Sequence, residues 1–240
     1  MKLSLVFPAY NEAASIMDTL NRWTDYCRAK NIDHEIVVVD DGSQDATKSK
    51  IESYIKKNKS NIVVISYAKN QGKGAAVKTG IAKATGDYIV IQDADLEYNP
   101  EDIKKLIDEL GNTTDKVVYG TRLKRMPHFS AEERRMRFMI HYLGNKFLSL
   151  LTSVLYGQWI TDMETCYKLF PKKAVEGMVI HARGFEFEPE ITAKLKKRGY
   201  IILEVPITTK PRGYEEGKKL NTITDGIKAL KTLIVYRFTD

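Results

Sequence analysis

Four short runs rich in Val and Ile, each separated from the next by a longer polar stretch, restrict the folds open to this chain more than any other feature. They cover residues 3–7, 35–39, 62–66 and 88–91. None alternates apolar with polar residues as a half-exposed strand would, so both faces are expected to be buried. The stretches between them carry helical spacing. Ile16, Leu20 and Trp23 recur at intervals of four and three, and Ile51 and Ile55 are four apart. Strands buried on both faces and separated by helices predict βαβ units and a mostly parallel central sheet flanked by helices. Asn99-Pro100-Glu101 predicts a helix start with Pro in the first turn, and residues 117–119 predict a further strand.

The second half reads differently. Residues 130–156 predict a helix that opens on a Ser130…Glu133 capping box. It lies near Arg125, Arg134, Arg135 and Arg137 and runs into an apolar stretch over residues 147–156. Strands are expected over 167–170 and 201–206, and helices over 188–197 and 225–238. No internal repeat, low-complexity segment or linker interrupts the 240 residues, a length suited to one large domain. One domain over 1–240 is therefore expected, with a nucleotide and metal half over 1–122 and an acceptor-side half over 123–240.

Charge narrows the partners. Lys and Arg number 38 against 31 Asp and Glu, giving a formal net charge of +7, which suits phosphates, nucleic acid or an anionic membrane surface. No nucleic-acid recognition motif is present, so nucleic acid is not expected as a partner. Only Cys27 and Cys166 occur, which favours a reducing, cytoplasmic setting over a disulfide framework. The apolar run at the N-terminus is short for a signal peptide, and no run of about 18 apolar residues predicts a membrane span. Peripheral attachment at the cytoplasmic membrane face stays compatible with the sequence.

Candidate ligands cluster where the predicted strands end, the edge at which open α/β sheets bind. After the fourth strand comes Gln92-Asp93-Ala94-Asp95-Leu96-Glu97. Two carboxylates one residue apart at a strand end can converge on a hard cation such as Mg²⁺ or Mn²⁺, with Glu97 as a third oxygen ligand. Val39-Asp40-Asp41-Gly42-Ser43 follows the second strand. A carboxylate there can hydrogen-bond a base or ribose, although a plain turn with Ser43 or Asp45 as a helix cap explains it equally. Pro8-Ala9-Tyr10-Asn11-Glu12 follows the first strand, and Tyr10 can stack on a base. Asn70-Gln71-Gly72-Lys73-Gly74 resembles a phosphate cradle at a helix start, without the P-loop pattern. A turn reading must explain four junctions separately; one ligand site explains them together.

These motifs resemble the family-2 glycosyltransferases of GT-A fold, and within them the polyprenyl- or dolichyl-phosphate sugar synthases. The resemblance extends to Gly120-Thr121-Arg122, Asp162-Met163-Glu164-Thr165-Cys166-Tyr167-Lys168 and Arg212-Gly213-Tyr214-Glu215-Glu216-Gly217-Lys218, in the family's order. It implies an α/β GT-A nucleotide-binding fold and a nucleotide-sugar donor, with Pro8, Tyr10, Glu12, Val39 and Asp41 around the nucleoside and Asp93 and Ala94 continuing that site. Lys73 belongs to the expected donor site, while Asp95 and Glu97, with Asp93 close by, hold a divalent cation. Arg122, Arg212 and Lys218 meet phosphate. Glu97 stands where the family often has Gln, and Thr121 where it often has Ser.

The implied reaction moves a hexose, by in-line displacement with inversion, to a polyprenyl or dolichyl phosphate. UDP-glucose or GDP-mannose would be the donor, with a lean to UDP-glucose from residues 162–168. An ionised lipid phosphate needs positioning by Arg122 rather than a strong base. A saccharide or protein hydroxyl would instead need a base, for which Asp162 and Glu164 are the candidates. A reading from another class is a non-catalytic module binding a nucleotide or polyanion. The basic-flanked apolar stretch over 134–156 suits either a bilayer surface or the protein core.

Overall fold

The computed structural model describes residues 1–58, 62–111, 113–122, 136–210 and 221–239. Its strands are β1 (Leu3–Ala9), β2 (His34–Asp40), β3 (Ile62–Ser66), β4 (Tyr88–Ile91), β5 (Lys116–Thr121), β6 (Lys168–Pro171) and β7 (Ile201–Pro206). The helices are α1 (Ile16–Ala29), α2 (Thr47–Asn58), α3 (Lys73–Lys83), α4 (Asp102–Leu110), α5 (Met136–Tyr156), α6 (Phe187–Lys197) and α7 (Thr222–Phe238). One seven-stranded sheet runs β3-β2-β1-β4-β6-β5-β7. All neighbours are parallel except β6, which is antiparallel to both β4 and β5. The expected α/β class with a mostly parallel sheet is what the chain adopts.

Residues of alternating parity feed two cores. Leu5, Phe7, Ile36, Val38 and Val90 face one layer with Ile16, Leu20, Trp23, Ile51, Ile103 and Leu106 of α1, α2 and α4. Val6, Val37, Val39, Ile89 and Ile91 face the other, with Ala76, Val77, Phe187, Ile191 and Leu233 of α3, α6 and α7. Each fully buried side chain of this size is worth roughly 1.5–3 kcal/mol of transfer free energy, so the uninterrupted apolar strands anchor the whole molecule. At the opposite edge from the candidate ligands, Glu35 takes hydrogen bonds from Ser4 Oγ (2.6 Å), Lys2 Nζ (3.0 Å) and Gly86 N (3.2 Å), tying β2 to the start of β4. Burial opposes its charge, but these donors and Thr85 bring its pKa down to about 2.

Some element bounds shift; α7, expected over 225–238, begins at Thr222. The helix expected to start at Pro100 begins at Asp102, because the preceding residues form a turn in which Asn99 O accepts from Asp102 N (3.1 Å). The Ser130…Glu133 cap and the arginines Arg125, Arg134 and Arg135 lie outside the described residues. The halves at 122/123 do not separate in space. β6, from the second half, sits between β4 and β5 of the first.

Candidate active site at the carboxyl edge of the sheet

A cavity of about 370 Å³ opens at the carboxyl edge of β1, β2, β4 and β5. The β1 and β2 junctions and the 70–72 loop supply Pro8, Tyr10, Glu12, Asp41, Asn70 and Gly72 to its wall, the start of α3 and the β4 junction supply Lys73, Asp93, Ala94, Asp95, Glu97 and Tyr98, and the later chain supplies Arg122, His141, Asn145, Glu164, Phe185 and Glu188. Residues from all four junctions line the cavity. Val39 is the exception. Its side chain is fully buried in the core against α3, two residues before Asp41 reaches the cavity past the end of β2, and it is absent from the wall.

Asp41 organises the first of these groups. Its carboxylate accepts from Asn70 Nδ2 (2.9 Å), Gln71 N (2.7 Å) and Gly72 N (2.9 Å), while its own N–H donates to Ala9 O (2.8 Å). One buried carboxylate thereby joins the ends of β1 and β2 to the 70–72 loop. Burial pushes its pKa up against these hydrogen bonds. Gly72 makes the approach possible. It has φ +98°, and a Cβ there would lie 2.2 Å from Arg183 O.

Around Lys73 lies an ionic cluster. Lys73, at the start of α3, places Nζ 2.9 Å from Asp93 Oδ1, 3.6 Å from Glu188 Oε1 and 2.5 Å from Cys166 Sγ. Burial works against both charges, yet the Lys73 ammonium holds Asp93 below the usual carboxylate range, and Asp93 in turn raises Lys73. Behind them Lys168, fully buried, donates to Glu188 and to Met163 O (3.0 Å) and stands 4.7 Å from the centre of the Tyr119 ring. Sequence reasoning missed Glu188, His141, Asn145 and Phe185, which arrive from α5 and the start of α6. The only signal was the acidic–aromatic alternation Phe185-Glu186-Phe187-Glu188.

The Asp95–Glu97 turn is tight. Leu96 has φ +63°, uncommon for a residue with a bulky side chain, and Glu97 N donates to Asp95 Oδ1 (3.2 Å). Both carboxylates lie on the cavity wall. Among the described residues no three His, Cys, Asp or Glu side chains converge as a ready metal cage, and Asp93 is compensated by Lys73 rather than grouped with the other two. Two oxygen-bearing side chains at a phosphate-sized cavity nevertheless fit Mg²⁺ or Mn²⁺, which usually take one or two carboxylates and complete their shell with substrate phosphate and water. The fit rests on Asp95 and Glu97.

Arg122 forms a bidentate pair with Asp162, Nε to Oδ2 and Nη2 to Oδ1, both 2.8 Å, and its backbone N adds a third bond to Oδ2 (2.9 Å). Asp162 is wholly buried and does not reach the cavity wall. Burial opposes its charge, but Arg122 keeps its pKa low. The base expected at Asp162 is therefore already committed to holding Arg122, and the carboxyl that reaches the cavity is Glu164. Burial pushes Glu164 up to about 7, with Glu188 adding to the rise and Lys168 and Arg122 opposing it. Arg212 and Lys218 lie outside the described residues. The chain is last described before them at Lys210, whose N–H donates to Glu97 O (2.9 Å) beside the cavity.

Known proteins share the sequence pattern and the fold. Residues 4–178 match the model of Glycosyl transferase family 2. The chain is 30% identical to a UDP-N-acetylglucosamine–dolichyl-phosphate N-acetylglucosaminyltransferase of Methanococcus voltae, over 97% of this chain and 95% of that protein. It is also 30% identical to a dolichol-phosphate mannosyltransferase of Pyrococcus furiosus, over 98% of this chain and 64% of that longer protein. Among solved structures, glucosyl-3-phosphoglycerate synthase of Mycobacterium tuberculosis superposes with a TM-score of 0.72 at 19% identity, covering 100% of this chain and 81% of that one. A mannosyltransferase of Pyrobaculum calidifontis, solved with GDP-Man and Mn²⁺, gives 0.62 at 20% identity over 98% and 62% of the two chains. At these identities the two structures attest to the GT-A fold.

Proposed function

The chain belongs to glycosyl transferase family 2, and on that premise we propose that it moves a sugar from a nucleoside-diphosphate donor to a polyprenyl or dolichyl phosphate. The observation that carries the reading is the single cavity in which Asp41 and its loop, the Asp93–Glu97 carboxylates and Arg122 meet. The donor's nucleoside lies between Tyr10, Asp41 and Asn70. Its diphosphate lies along Asp95 and Glu97, where a bound divalent cation would neutralise charge on the leaving group. Arg122, held rigid by Asp162, presents its guanidinium to the acceptor phosphate. The acceptor oxygen forms the new bond to the anomeric carbon as the bond to the donor diphosphate breaks, with inversion, and the nucleoside diphosphate departs.

The two relatives at 30% identity are named for dolichyl-phosphate acceptors, which supports a lipid phosphate here. They differ in sugar, so the donor panel extends beyond UDP-glucose and GDP-mannose to UDP-N-acetylglucosamine. No described helix is long and apolar enough to cross a membrane. Residues Ile140, Leu143, Phe147, Leu150 and Val154 of α5 are each at least half exposed and recur every three or four positions, forming one apolar stripe. α5 contains no acidic residue, and its cations are Arg137 and Lys146. An apolar stripe with cations suits contact with an anionic bilayer that holds the acceptor.

Incubating the protein with these three donors, Mg²⁺ or Mn²⁺ and a short polyprenyl phosphate, and analysing lipids by mass spectrometry, tests the reading. It expects one polyprenyl-phosphate sugar, formed only with metal. Transfer to a saccharide hydroxyl with none to lipid phosphate would favour the alternative acceptor class, for which Glu164 on the cavity wall is the available base. Neither transfer nor donor hydrolysis would leave a binding module.

A further inference from the structure

Resting on the donor-site reading above, we propose that Glu164 is a specificity-determining residue whose carboxyl accepts a hydrogen bond from a hydroxyl of the transferred sugar. Glu164 stands at a junction. It lines the main cavity and also a side cavity of about 40 Å³ beneath α5 and α7, sharing both walls with His141, Asn145 and Phe185. Its Oε1 is shielded from solvent and finds no hydrogen-bond partner among the described residues. A buried carboxylate oxygen without a donor is costly, and native proteins rarely leave one so. Glu188 Oε1, on the same wall, is a second acceptor without a hydrogen-bond partner, 3.6 Å from Lys73 Nζ.

Position and charge select the ligand group. In the reading above the nucleoside takes the wall of Tyr10, Asp41 and Asn70 and the diphosphate that of Asp95 and Glu97, so the wall that carries Glu164 falls to the sugar. Two carboxyls beside an imidazole and an amide repel a phosphate but match hydroxyl groups, which can donate to them. Arg122 offers the phosphate-binding side of the same region. The charged and titratable groups around Glu164 are Glu188, Lys168, Arg122 and Asp162, with His141 and Asp225 on the side-cavity wall. Lys168 and Arg122 are themselves engaged by Glu188 and Asp162. Their prior pairing leaves a ligand hydroxyl as the fitting donor for Glu164.

The test measures binding by calorimetry with Mg²⁺ and no acceptor, using the turned-over donor, its single-deoxy analogues and the bare nucleoside diphosphate. Glu164→Met removes the acceptor, and Glu164→Gln keeps one. The proposal expects Glu164→Met to weaken the donor by about tenfold or more, in line with loss of a buried polar contact, while bare nucleoside diphosphate binds as before. Glu164→Gln is expected to recover most of the loss. One deoxy analogue should bind wild type about tenfold less well than its parent, with that gap closing in Glu164→Met. Unchanged donor affinity in Glu164→Met overturns the proposal. Because the analogues are also compared on wild-type protein, equal binding of all of them overturns it independently of any variant. Failure of wild type to bind any nucleoside diphosphate would instead sink the donor-site reading, and the proposal with it.

Discussion

At the scale of single residues, the cavity depends on carboxyls that look alike in sequence and are used differently. Asp41 braces a loop, Asp162 holds an arginine, Asp93 is paired with Lys73, and Glu164 is left with an unsatisfied oxygen. Glu164 gives a stability prediction with a definite sign. Its carboxyl titrates at about 7 when folded against an ordinary 4.5, so the folded protein binds the extra proton between those values and wild type loses stability as pH rises through that window. Glu164→Gln does not titrate. It should equal wild type in stability below about pH 4.5 and exceed it by roughly 3 kcal/mol above pH 7, read as denaturant midpoints across pH. A gap of the opposite sign would contradict the buried environment. Sequence alone could not rank Asp162 and Glu164, two positions apart, because the choice is made by Arg122, forty residues upstream, folding onto the nearer one. Nor could it find the Lys73–Glu188 contact, whose partners start helices more than a hundred residues apart in the chain.

At the scale of elements, the strands were the most legible part. Residues 62–66, 88–91 and 201–206 form strands with the bounds expected, but burial on both faces fails for 62–66: β3 and β7 are the edge strands of the sheet, and Val63 and Ile201 are exposed at 43% and 44%. Loops were less legible, because what they bind and what they pack against come from elsewhere. The 70–72 loop works because Gly72 lets it lie against residues 182–184. Gly72→Ala puts a methyl into Arg183 O at a positive φ. It should cost about 2–3 kcal/mol in chemical denaturation and weaken nucleotide binding more than that cost alone, since Gly72 N is one of the donors to Asp41. Wild-type stability in this variant would mean the loop is not braced as described. The helix α5 read as either core or bilayer surface; one face is core, with Leu148, Ser149 and Thr152 buried, and another is exposed, with Leu143 and Phe147 at 59% and 57%. Flotation with anionic liposomes at low salt should carry wild type upward and leave a Leu143→Glu, Phe147→Glu variant behind. Wild type remaining at the bottom would contradict a bilayer contact through this stripe.

At the scale of the whole molecule, the insertion of β6 between β4 and β5 ties residues from both halves of the chain into one sheet. Residues 1–122 alone would leave β4 and β5 without the strand that joins them, so that fragment is expected to lack a cooperative thermal transition, monitored by circular dichroism. A sharp transition in the fragment would show that the first half folds independently. The same insertion brings Glu164 and Cys166, just ahead of β6, beside Asp93 and Arg122, and so builds one cavity from both halves. The claim on which the account turns is that this cavity binds a nucleoside diphosphate through a divalent cation held by Asp95 and Glu97. Calorimetric titration of UDP and GDP into wild type, Asp95→Asn and Glu97→Gln, each with Mg²⁺ or with chelator, tests it directly. Binding should be strong only in wild type with metal and fall at least about tenfold in chelator and in Asp95→Asn, the scale of one lost charge-assisted contact. Equal affinity with and without metal, and in all three proteins, would contradict it.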